Sequence, residues 1–503
     1  MGTRRVQGLG GWAVSAALVA GLLLRLWGLG HLPGVNGDEA WYAVGVRGWL
    51  AGASLERTPT GNLASPVHVA LTLPVVALLP PSLVALRLPS LLTSLLALAA
   101  LWALLRRAAG PLAAGAGVSL AALLPALLAY ARFSWEPSHV PAVVALAGAL
   151  AVRGWAVRSA LAFLLAVLTH PTAVFAAPFL ALAHLGAVWA PEARGRALAR
   201  GALQGALMAL ALVLLRFTAS AERTRVDGAA VLARLTDAGA WAEAGGLLVR
   251  LLTGDTTLRY VVGTSLPDGV QVAAAVALGL LLLLGGASLV RRPDAPAAGL
   301  VAGALATLLA FEALAGAPAL QPHYERYALV LLVPVLAAIA VLLREVAGRG
   351  DAPARAAVPV ALACALGGAA FVALYLRPLA AHGGASQDTF WTGASQEPKA
   401  AAVAHVLREA GGAPARLVAE SFWVYWPAAY FAGAAALQVE PFWHAPPPAD
   451  PAFPGGTWWL GFVGGPLEAA LGRAGYAPRW EARAGNGRVL LRLWRTDGPR
   501  ATH

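Results

Sequence analysis

An apolar segment that ends in an acidic pair opens the chain: residues 11–42 read GWAVSAALVAGLLLRLWGLGHLPGVNGDEAWY. The apolar part covers 11–30, and an α-helix needs about 20 such residues to cross the hydrocarbon core of a bilayer. Asp38 and Glu39 come soon after it and open a short helical pattern. An apolar and aromatic stripe then begins at Tyr42 and suits the headgroup layer. The segment predicts two carboxylates held at a membrane boundary.

A simpler interpretation of the acidic pair is structural. Asp38 can cap the helix that follows, because an aspartate side chain accepts hydrogen bonds from the free N–H groups of the first turn. Glu39 then lies in that first turn, where the helix dipole favours negative charge. From these residues alone we give the structural and the functional interpretation equal weight.

The composition of the chain is that of a membrane protein. Of its 503 residues, 59% are hydrophobic and 12% are charged, which is far from a soluble globular domain. A net charge of +12 would suggest nucleic acid in a soluble protein. Here most arginines flank apolar segments, where they set topology, and we see no nucleic-acid footprint.

Apolar runs recur through the first three quarters of the chain and predict an all-α polytopic membrane domain of about eleven transmembrane helices, within a range of 11 to 13. Residues 66–81 contain four prolines and favour an interfacial or re-entrant segment over a span. The predicted spans are 11–30, 85–105, 112–131, 138–152, 156–170, 172–190, 199–217, 269–290, 296–316, 327–344 and 356–376.

Basic residues predict the orientation, because cytoplasmic loops carry an excess of arginine. If 66–81 does not cross, every arginine-rich short loop falls in the cytoplasm. These loops contain Arg106 and Arg107, Arg153 and Arg158, Arg194, Arg196 and Arg200, Arg291 and Arg292, and Arg344, Arg349 and Arg355. The first loop 31–84, the long loop 218–268 and the tail 377–503 then lie outside. We expect a multi-pass protein of the cytoplasmic (inner) membrane with its site on the outer face.

The tail differs from the rest of the chain and predicts a second domain. We divide the chain into a transmembrane domain, 1–376, and a C-terminal extracytoplasmic domain, 377–503. Alternating apolar segments such as 457–462 predict strands, and the tail is therefore expected to be a small α/β domain. The only lysine of the chain, Lys399, also lies there, and we attribute the scarcity of lysine to compositional bias.

Polar residues stand at the predicted outer ends of several spans. Glu136 follows Arg132 between the third and fourth spans, His170 lies in a two-span turn, and a polar cluster that includes Arg326 precedes the tenth span. Charged groups at membrane depth are costly unless paired or wetted, so their convergence indicates a site. Taken singly, each arginine can be a membrane anchor and each glutamate its ion-pair partner.

Four short motifs resemble those of one enzyme family, in matching order over about 11–345. They are Asp38-Glu39, Arg87-Leu88-Pro89-Ser90, Tyr130-Ala131-Arg132-Phe133 and His323-Tyr324-Glu325-Arg326-Tyr327. In that order they resemble the GT-C glycosyltransferases of the protein O-mannosyltransferase and lipid A aminoarabinose transferase type, a glycosyltransferase family 39-like group. The resemblance implies the GT-C fold and an inverting enzyme. Such an enzyme moves a sugar from a polyprenyl phosphate to a protein, lipid or cell-wall glycan acceptor.

The resemblance also implies roles for individual residues. Asp38 matches the family's catalytic acidic position and Glu136 its second acidic position. A phosphate leaving group needs little acid assistance, so we assign Asp38 as the base for the acceptor hydroxyl, with Glu39 or Glu136 orienting the acceptor. We assign donor phosphate binding to Arg326, Arg132, His323 and Arg87, and the substrate pocket to Tyr42, His170, Tyr324 and Glu325. The family often has a lysine where this chain has Ser65.

No cofactor is certain from the sequence. A divalent metal that bridges Asp38 and Glu136 to the donor phosphate is compatible with these residue types. The expected partners are membrane lipid, a polyprenyl-phosphate-linked sugar and an extracytoplasmic acceptor. Two other functions compete: a transporter or flippase of lipid-linked sugars, and an inactive lipid-binding relative. A transporter would place ionisable groups near mid-membrane and often has repeated halves, whereas the polar residues here gather at predicted outer ends.

Overall fold

The computed structural model is mostly helical, with one small sheet near the C-terminus. It describes residues 2–54, 57–58, 63–189, 194–218, 228–315, 322–348, 353–381, 396–433, 437–442, 455–483 and 487–497. The predicted fold class, an α-helical membrane bundle with a small C-terminal α/β domain, is confirmed.

All eleven predicted spans are helical over most of their described length. The helices of this part are α1 (Gly2–Leu26), α2 (Gly37–Leu50), α3 (Pro66–Leu78), α4 (Leu83–Ala108), α5 (Gly110–Leu123), α6 (Pro125–Tyr130), α7 (Val140–Ala151), α8 (Ala156–Thr169), α9 (Ala177–Val188), α10 (Arg194–Thr218), α11 (Gly228–Thr236), α12 (Ala238–Thr253), α13 (Asp255–Thr257), α14 (Asp268–Arg291), α15 (Ala295–Ala315), α16 (Leu332–Ala347), α17 (Pro353–Ala370) and α18 (Arg377–Ala381).

Among the described residues, six helical segments are long and apolar enough to cross a membrane. They are Leu83–Ala108, Pro171–Val188, Asp268–Arg291, Ala295–Ala315, Tyr324–Ala347 and Ala357–Ala381. Other apolar helices, such as α5 and α8, are shorter. Within 66–81, Pro66–Leu78 form the 13-residue α3, which at about 1.5 Å per residue is shorter than the hydrocarbon core of a bilayer. The chain is a multi-pass membrane protein.

Several predicted spans are interrupted where prolines occur. Pro125 separates α5 from α6, and short 3₁₀ segments cover Glu136–His139, Pro171–Ala176 and Pro322–Leu331. Proline has no N–H to donate and fits best in the first turn of a helix, and each of these prolines begins or nearly begins its segment. The 3₁₀ segments carry several of the polar motifs.

Small residues let the helices of the bundle approach closely. A Cβ added at Gly186 of α9 would lie 2.4 Å from the carbonyl oxygen of Ala295, and one added at Gly299 of α15 would lie 2.5 Å from that of Leu182. Backbones this near allow contacts along most of the two helices, which is how helices associate where lipid offers no hydrophobic driving force.

One end of the bundle carries a cluster of charges. Arg344 at the end of α16 pairs with Asp294 just before α15 at 3.0 Å and donates to the carbonyl oxygen of Ala109. Ser288 of α14 donates to Glu345. The ends of α4, α14 and α16, which were predicted to face the cytoplasm, therefore meet at the same end of the bundle.

The C-terminal sheet has five strands in the order β2-β1-β3-β5-β4. They are β1 (Ala415–Ala419), β2 (Leu437–Pro441), β3 (Thr457–Phe462), β4 (Trp480–Arg483) and β5 (Val489–Arg495), with helices α19 (Gln396–Ala410), α20 (Phe422–Ala432) and α21 (Pro466–Arg473). Strand β1 runs parallel to β2 and β3, while β5 is antiparallel to β3 and β4. Buried Leu417, Leu460 and Leu493 form part of its core. The boundary at 376/377 stays a prediction.

Candidate functional site

The residue that caps α2 is Asn36. Its side chain accepts from the N–H of Asp38 at 2.7 Å, and Glu39 returns the bond by accepting from the N–H of Asn36 at 3.2 Å. This is a capping box, in which two free N–H groups are satisfied reciprocally. The structural interpretation of Asp38 as the cap is therefore wrong, and its carboxylate is not used at the helix start.

Glu39 points into the protein. Its carboxylate pairs with Arg87 of α4 through two contacts of 3.0 Å, and it also accepts from the N–H of Ser134 at 2.8 Å. Both side chains of the pair are fully buried. Arg87 donates in addition to four carbonyl oxygens of the segment 29–34. The structure thus places these two predicted site residues in the framework behind the pocket.

Two more predicted residues are buried beside the pocket. The guanidinium of Arg132 donates to the carbonyl oxygens of Leu24, Arg25 and Leu32 at 2.8 to 3.1 Å. The carboxylate of Glu325 accepts from the hydroxyl of Tyr130 at 3.0 Å. Arg132 and Glu325 are not in the pocket lining, and their predicted roles in substrate binding stay predictions.

A pocket brings the other predicted residues together. It contains about 880 Å³ of empty space, part of it open to solvent. Its walls come from α2, the start of α3, and the segments around 135–137, 167–171 and 326–327. Five residues predicted from the sequence line it: Asp38, Tyr42, Glu136, His170 and Arg326.

Arg326 is the cation that faces Asp38. One of its nitrogens, Nη1, lies 3.8 Å from Oδ2 of Asp38, and both side chains keep partial exposure to the pocket. Aromatic rings hold the guanidinium in place, with Trp135 and Tyr327 each centred 5.2 Å away. Such cation–π contacts orient a guanidinium while leaving its N–H groups free to bind an anion.

Burial raises the pKa of Asp38, and the charge of Arg326 lowers it in part. Burial likewise raises the pKa of Glu136, and the hydrogen bond that Glu136 accepts from the Tyr42 hydroxyl at 2.5 Å opposes the rise. The Tyr42 oxygen also accepts from the N–H of Ser65 at 3.3 Å. The negative charge of Asp38 adds to the rise in the pKa of Glu136, and the two carboxylates line one pocket.

His170 lines the same pocket. Its Nδ1 accepts from the N–H of Thr172 at 3.3 Å and lies 2.8 Å from the hydroxyl of Thr172. The ring stacks on Tyr327 with centroids 5.4 Å apart, and Tyr324 also stacks on Tyr327, with centroids 5.7 Å apart. The side chain of His323 lies outside the part of the chain that the structure describes.

The donor set does not fit a resident metal ion well. Asp38 and Glu136 are the two carboxylates of the pocket, and each already has a partner, Arg326 and Tyr42. Within the described residues, no group of three or more His, Cys, Asp or Glu side chains is placed to hold a metal. A divalent ion needs several oxygen ligands, so we derive no step through a metal.

Sequence reasoning missed the aromatic supports of the pocket. Trp135 and Tyr327 are adjacent in sequence to Glu136 and Arg326, and that adjacency is the one signal available for them. Tyr260, whose hydroxyl lies 3.5 Å from Arg326, belongs to the long loop and carries no local signal. Ser65, at the position of the family's lysine, caps α3 and accepts from the N–H of His68.

Comparison with solved structures identifies the fold of the chain. No protein-family model matches the chain, and no curated protein matches it. The crystal structure of ArnT from Cupriavidus metallidurans bound to undecaprenyl phosphate is similar over 97% of this chain and 98% of that one, with a TM-score of 0.54 and 15% identity. The chain has the GT-C fold.

Another solved structure is similar over most of this chain. It is the Archaeoglobus fulgidus oligosaccharyltransferase in complex with zinc and sulfate, with 14% identity, a TM-score of 0.49, and coverage of 96% of this chain and 73% of that one. The similarity to the ArnT structure bound to undecaprenyl phosphate confirms the GT-C fold that the order of the motifs predicted.

Proposed function

We propose that the chain is an inverting membrane glycosyltransferase that uses a polyprenyl-phosphate sugar as its donor. The observation that carries this proposal is the pairing of Asp38 with Arg326 at 3.8 Å in an open pocket that a second carboxylate, Glu136, also lines. The transfer needs a base for the proton of the acceptor hydroxyl and a cation near the leaving phosphate. The similarity to a GT-C structure that was bound to undecaprenyl phosphate supports the choice of donor.

The proposed reaction uses these residues as follows. The acceptor hydroxyl attacks the anomeric carbon on the face opposite the phosphate, and its proton passes to the carboxylate of Asp38. A bond forms between the acceptor oxygen and the sugar while the bond from the sugar to the phosphate breaks. The electron pair leaves with the polyprenyl phosphate, whose negative charge faces Arg326. Glu136, held by Tyr42, orients the acceptor.

The site geometry also supports the side of the membrane on which the transfer occurs. Asp38 and Arg326 lie at the end of the bundle away from the charge cluster around Arg344, which the positive-inside rule places in the cytoplasm. In this proposal the pocket and the C-terminal domain are extracytoplasmic. The sugar and the class of acceptor are open.

The first test measures transfer of radiolabelled sugar from a panel of polyprenyl-phosphate sugars to membrane extracts. We expect Asp38→Asn to lower transfer by about 10²-fold or more, because the amide cannot accept the proton. The matched control is Asp268→Asn, at an exposed aspartate that opens α14. It should transfer as well as the unmodified protein.

Other results would contradict the proposal. Equal transfer by Asp38→Asn and Asp268→Asn would show that Asp38 is not the base. If no donor gives transfer while labelled lipid still binds, the chain is a transporter of lipid-linked sugars or an inactive relative.

A further inference from the structure

The C-terminal domain packs against the helix that carries Asp38. The ring of Phe422 lies so close to Gly37 that a Cβ added there would be 2.7 Å from it. At the start of α4, the hydroxyl of Tyr430 donates to the carbonyl oxygen of Ser82 at 3.0 Å and accepts from its N–H at 3.2 Å. These contacts join α20 to both α2 and the start of α4.

The only lysine of the chain lies at this interface. Lys399, on α19, is 1% exposed, and its Nζ donates to the carbonyl oxygen of Val35 at 2.9 Å. A fully buried lysine is uncommon, because transfer of its charge out of water is costly. Burial lowers the pKa of Lys399 to about 7, and the negative charge of Glu39 acts in the opposite direction. Compositional bias does not explain a lysine in this position.

The bond from Lys399 completes a clamp on one peptide group. The carbonyl oxygen of the Val35–Asn36 peptide is held by Lys399, and its N–H is held by the carboxylate of Glu39 at 3.2 Å. Because a peptide group is planar, fixing both of its polar ends sets its orientation. The next link is local: the side chain of Asn36 accepts from the N–H of Asp38 at 2.7 Å.

We propose that Lys399 is a positioning residue for the site, acting from the C-terminal domain through the Val35 carbonyl to fix the start of α2 and so the place of Asp38 opposite Arg326. The C-terminal domain is then part of the framework of the catalytic helix, in addition to any role in acceptor choice. The kinetic part of this proposal rests on the proposed glycosyltransferase function, whereas the ordering of residues 35–42 does not.

The test compares Lys399→Met with a control on the same helix, Arg408→Met, which removes an exposed cation. Amide hydrogen exchange is measured by mass spectrometry on the full-length protein in detergent. In Lys399→Met we expect the amides of residues 36–42 to exchange at least about tenfold faster, because the Val35 carbonyl loses its donor. Arg408→Met should match the unmodified protein, and Lys399→Arg, which still carries a donor, should recover part of the protection.

A kinetic measurement on the same variants separates positioning from bulk stability. We expect kcat to fall at least about tenfold in Lys399→Met, while the KM for the donor stays within about twofold. The reason is that the substitution displaces the base, Asp38, and leaves the donor contacts in place. Partial recovery of kcat in Lys399→Arg would support the same mechanism. If Lys399→Met does not accumulate, Lys399→Gln takes its place, since its shorter amide does not reach the carbonyl from the same backbone position.

The possible results distinguish failure of this proposal from failure of the proposed function. Unchanged exchange of residues 36–42 in Lys399→Met overturns the proposal, as does faster exchange with kcat unaltered. An equal effect in Arg408→Met also overturns it, because that would be a general loosening of α19. If the unmodified protein transfers no sugar from any donor, the proposed function fails, but faster exchange confined to the Lys399 variants still supports the clamp.

Discussion

At Asp38, burial and a neighbouring charge act in opposite directions. Burial disfavours the ionised carboxylate and raises its pKa, while Arg326 at 3.8 Å favours the ionised form. A base must be ionised to accept a proton, so transfer should decline as the pH falls through the pKa of this group. Since that pKa is raised above the ordinary aspartate value of about 3.9, the decline should begin at a higher pH than for an exposed aspartate.

A second prediction concerns the variant Arg326→Gln. Loss of the positive charge removes the effect that lowers the pKa of Asp38, so the acid limb of the pH–rate profile should move upward by about 1 to 3 pH units. The profile is measured at saturating donor, because the variant should also bind the donor phosphate less well. Arg326→Lys keeps the charge and should leave the limb near its original position. A limb that stays in place in Arg326→Gln would show that Asp38 is not the group being titrated.

The sequence predicted which residues meet at the pocket better than it predicted their individual contacts. Asp38, Glu136 and Arg326 were chosen because each stands at the end of a span, and span ends converge at the same membrane level. This argument could not tell whether Asp38 or Glu39 faces the pocket. Which of two adjacent carboxylates faces the pocket depends on the capping box of Asn36 and Glu39 and on carbonyl oxygens of the segment 29–34. The three-residue spacing from Asn36 to Glu39 is a signature of a capping box, but Asp38 is itself a good capping residue, and the carbonyl contacts leave no sequence signal.

Between elements, the buried pair of Glu39 and Arg87 ties α2 to α4. We expect Arg87→Gln to lower the free energy of unfolding by about 3 to 5 kcal/mol, because it leaves the carboxylate of Glu39 buried without its counter-ion. The control is Arg483→Gln, at a pair with Glu481 whose arginine side chain is 57% exposed. It should cost no more than about 1 kcal/mol, as surface pairs do. Equilibrium unfolding in mixed micelles measures both.

The same experiment tests the sequence-based role of Arg87. If Arg87 bound the donor phosphate, Arg87→Gln would raise the donor KM without a large loss of stability. A large loss of stability with an unchanged KM per folded molecule would assign Arg87 to the framework.

The helices were predictable because a long apolar run is visible in the local sequence. The points at which helices are interrupted were harder to predict. The predicted span 112–131 is divided at Pro125, and the spans that begin near 138, 172 and 327 each start with a 3₁₀ segment. A proline marks each of these four places in the sequence. Whether a proline bends a helix or begins a new segment depends on which neighbours satisfy the freed carbonyls, and that is tertiary information.

At the scale of the molecule, the orientation in the membrane is open to a direct test. In a Cys364→Ala background, single cysteines are placed at two exposed positions, Thr264→Cys and Arg292→Cys. A membrane-impermeant thiol reagent applied to intact cells should label the first, which lies in the long loop just before α14. The second, at the other end of α14, should be labelled only after permeabilisation. The reverse pattern would contradict an extracytoplasmic pocket.

The docking of the C-terminal domain on α2 was not predictable from the sequence. The alternation in 457–462 and 489–494 predicted strands, and both segments are strands of the sheet. The bond from Lys399 to Val35 joins residues 364 positions apart, and the contacts of Tyr430 with Ser82 are similarly distant. Such contacts depend on the relative placement of two domains, for which one sequence carries no periodic signal.

The 3₁₀ segments concentrate at the pocket end of the bundle, whereas the helix ends that meet around Arg344 continue as regular α-helix. Hydrogen bonds in 3₁₀ geometry are poorer than in an α-helix, so each segment yields at a lower cost than the helix it joins. We expect the two ends of the bundle to differ in stiffness, with the pocket end the softer. In the proposed function this softness would let the rim of the pocket adjust around the lipid chain of the donor, while the end around Arg344 keeps its shape.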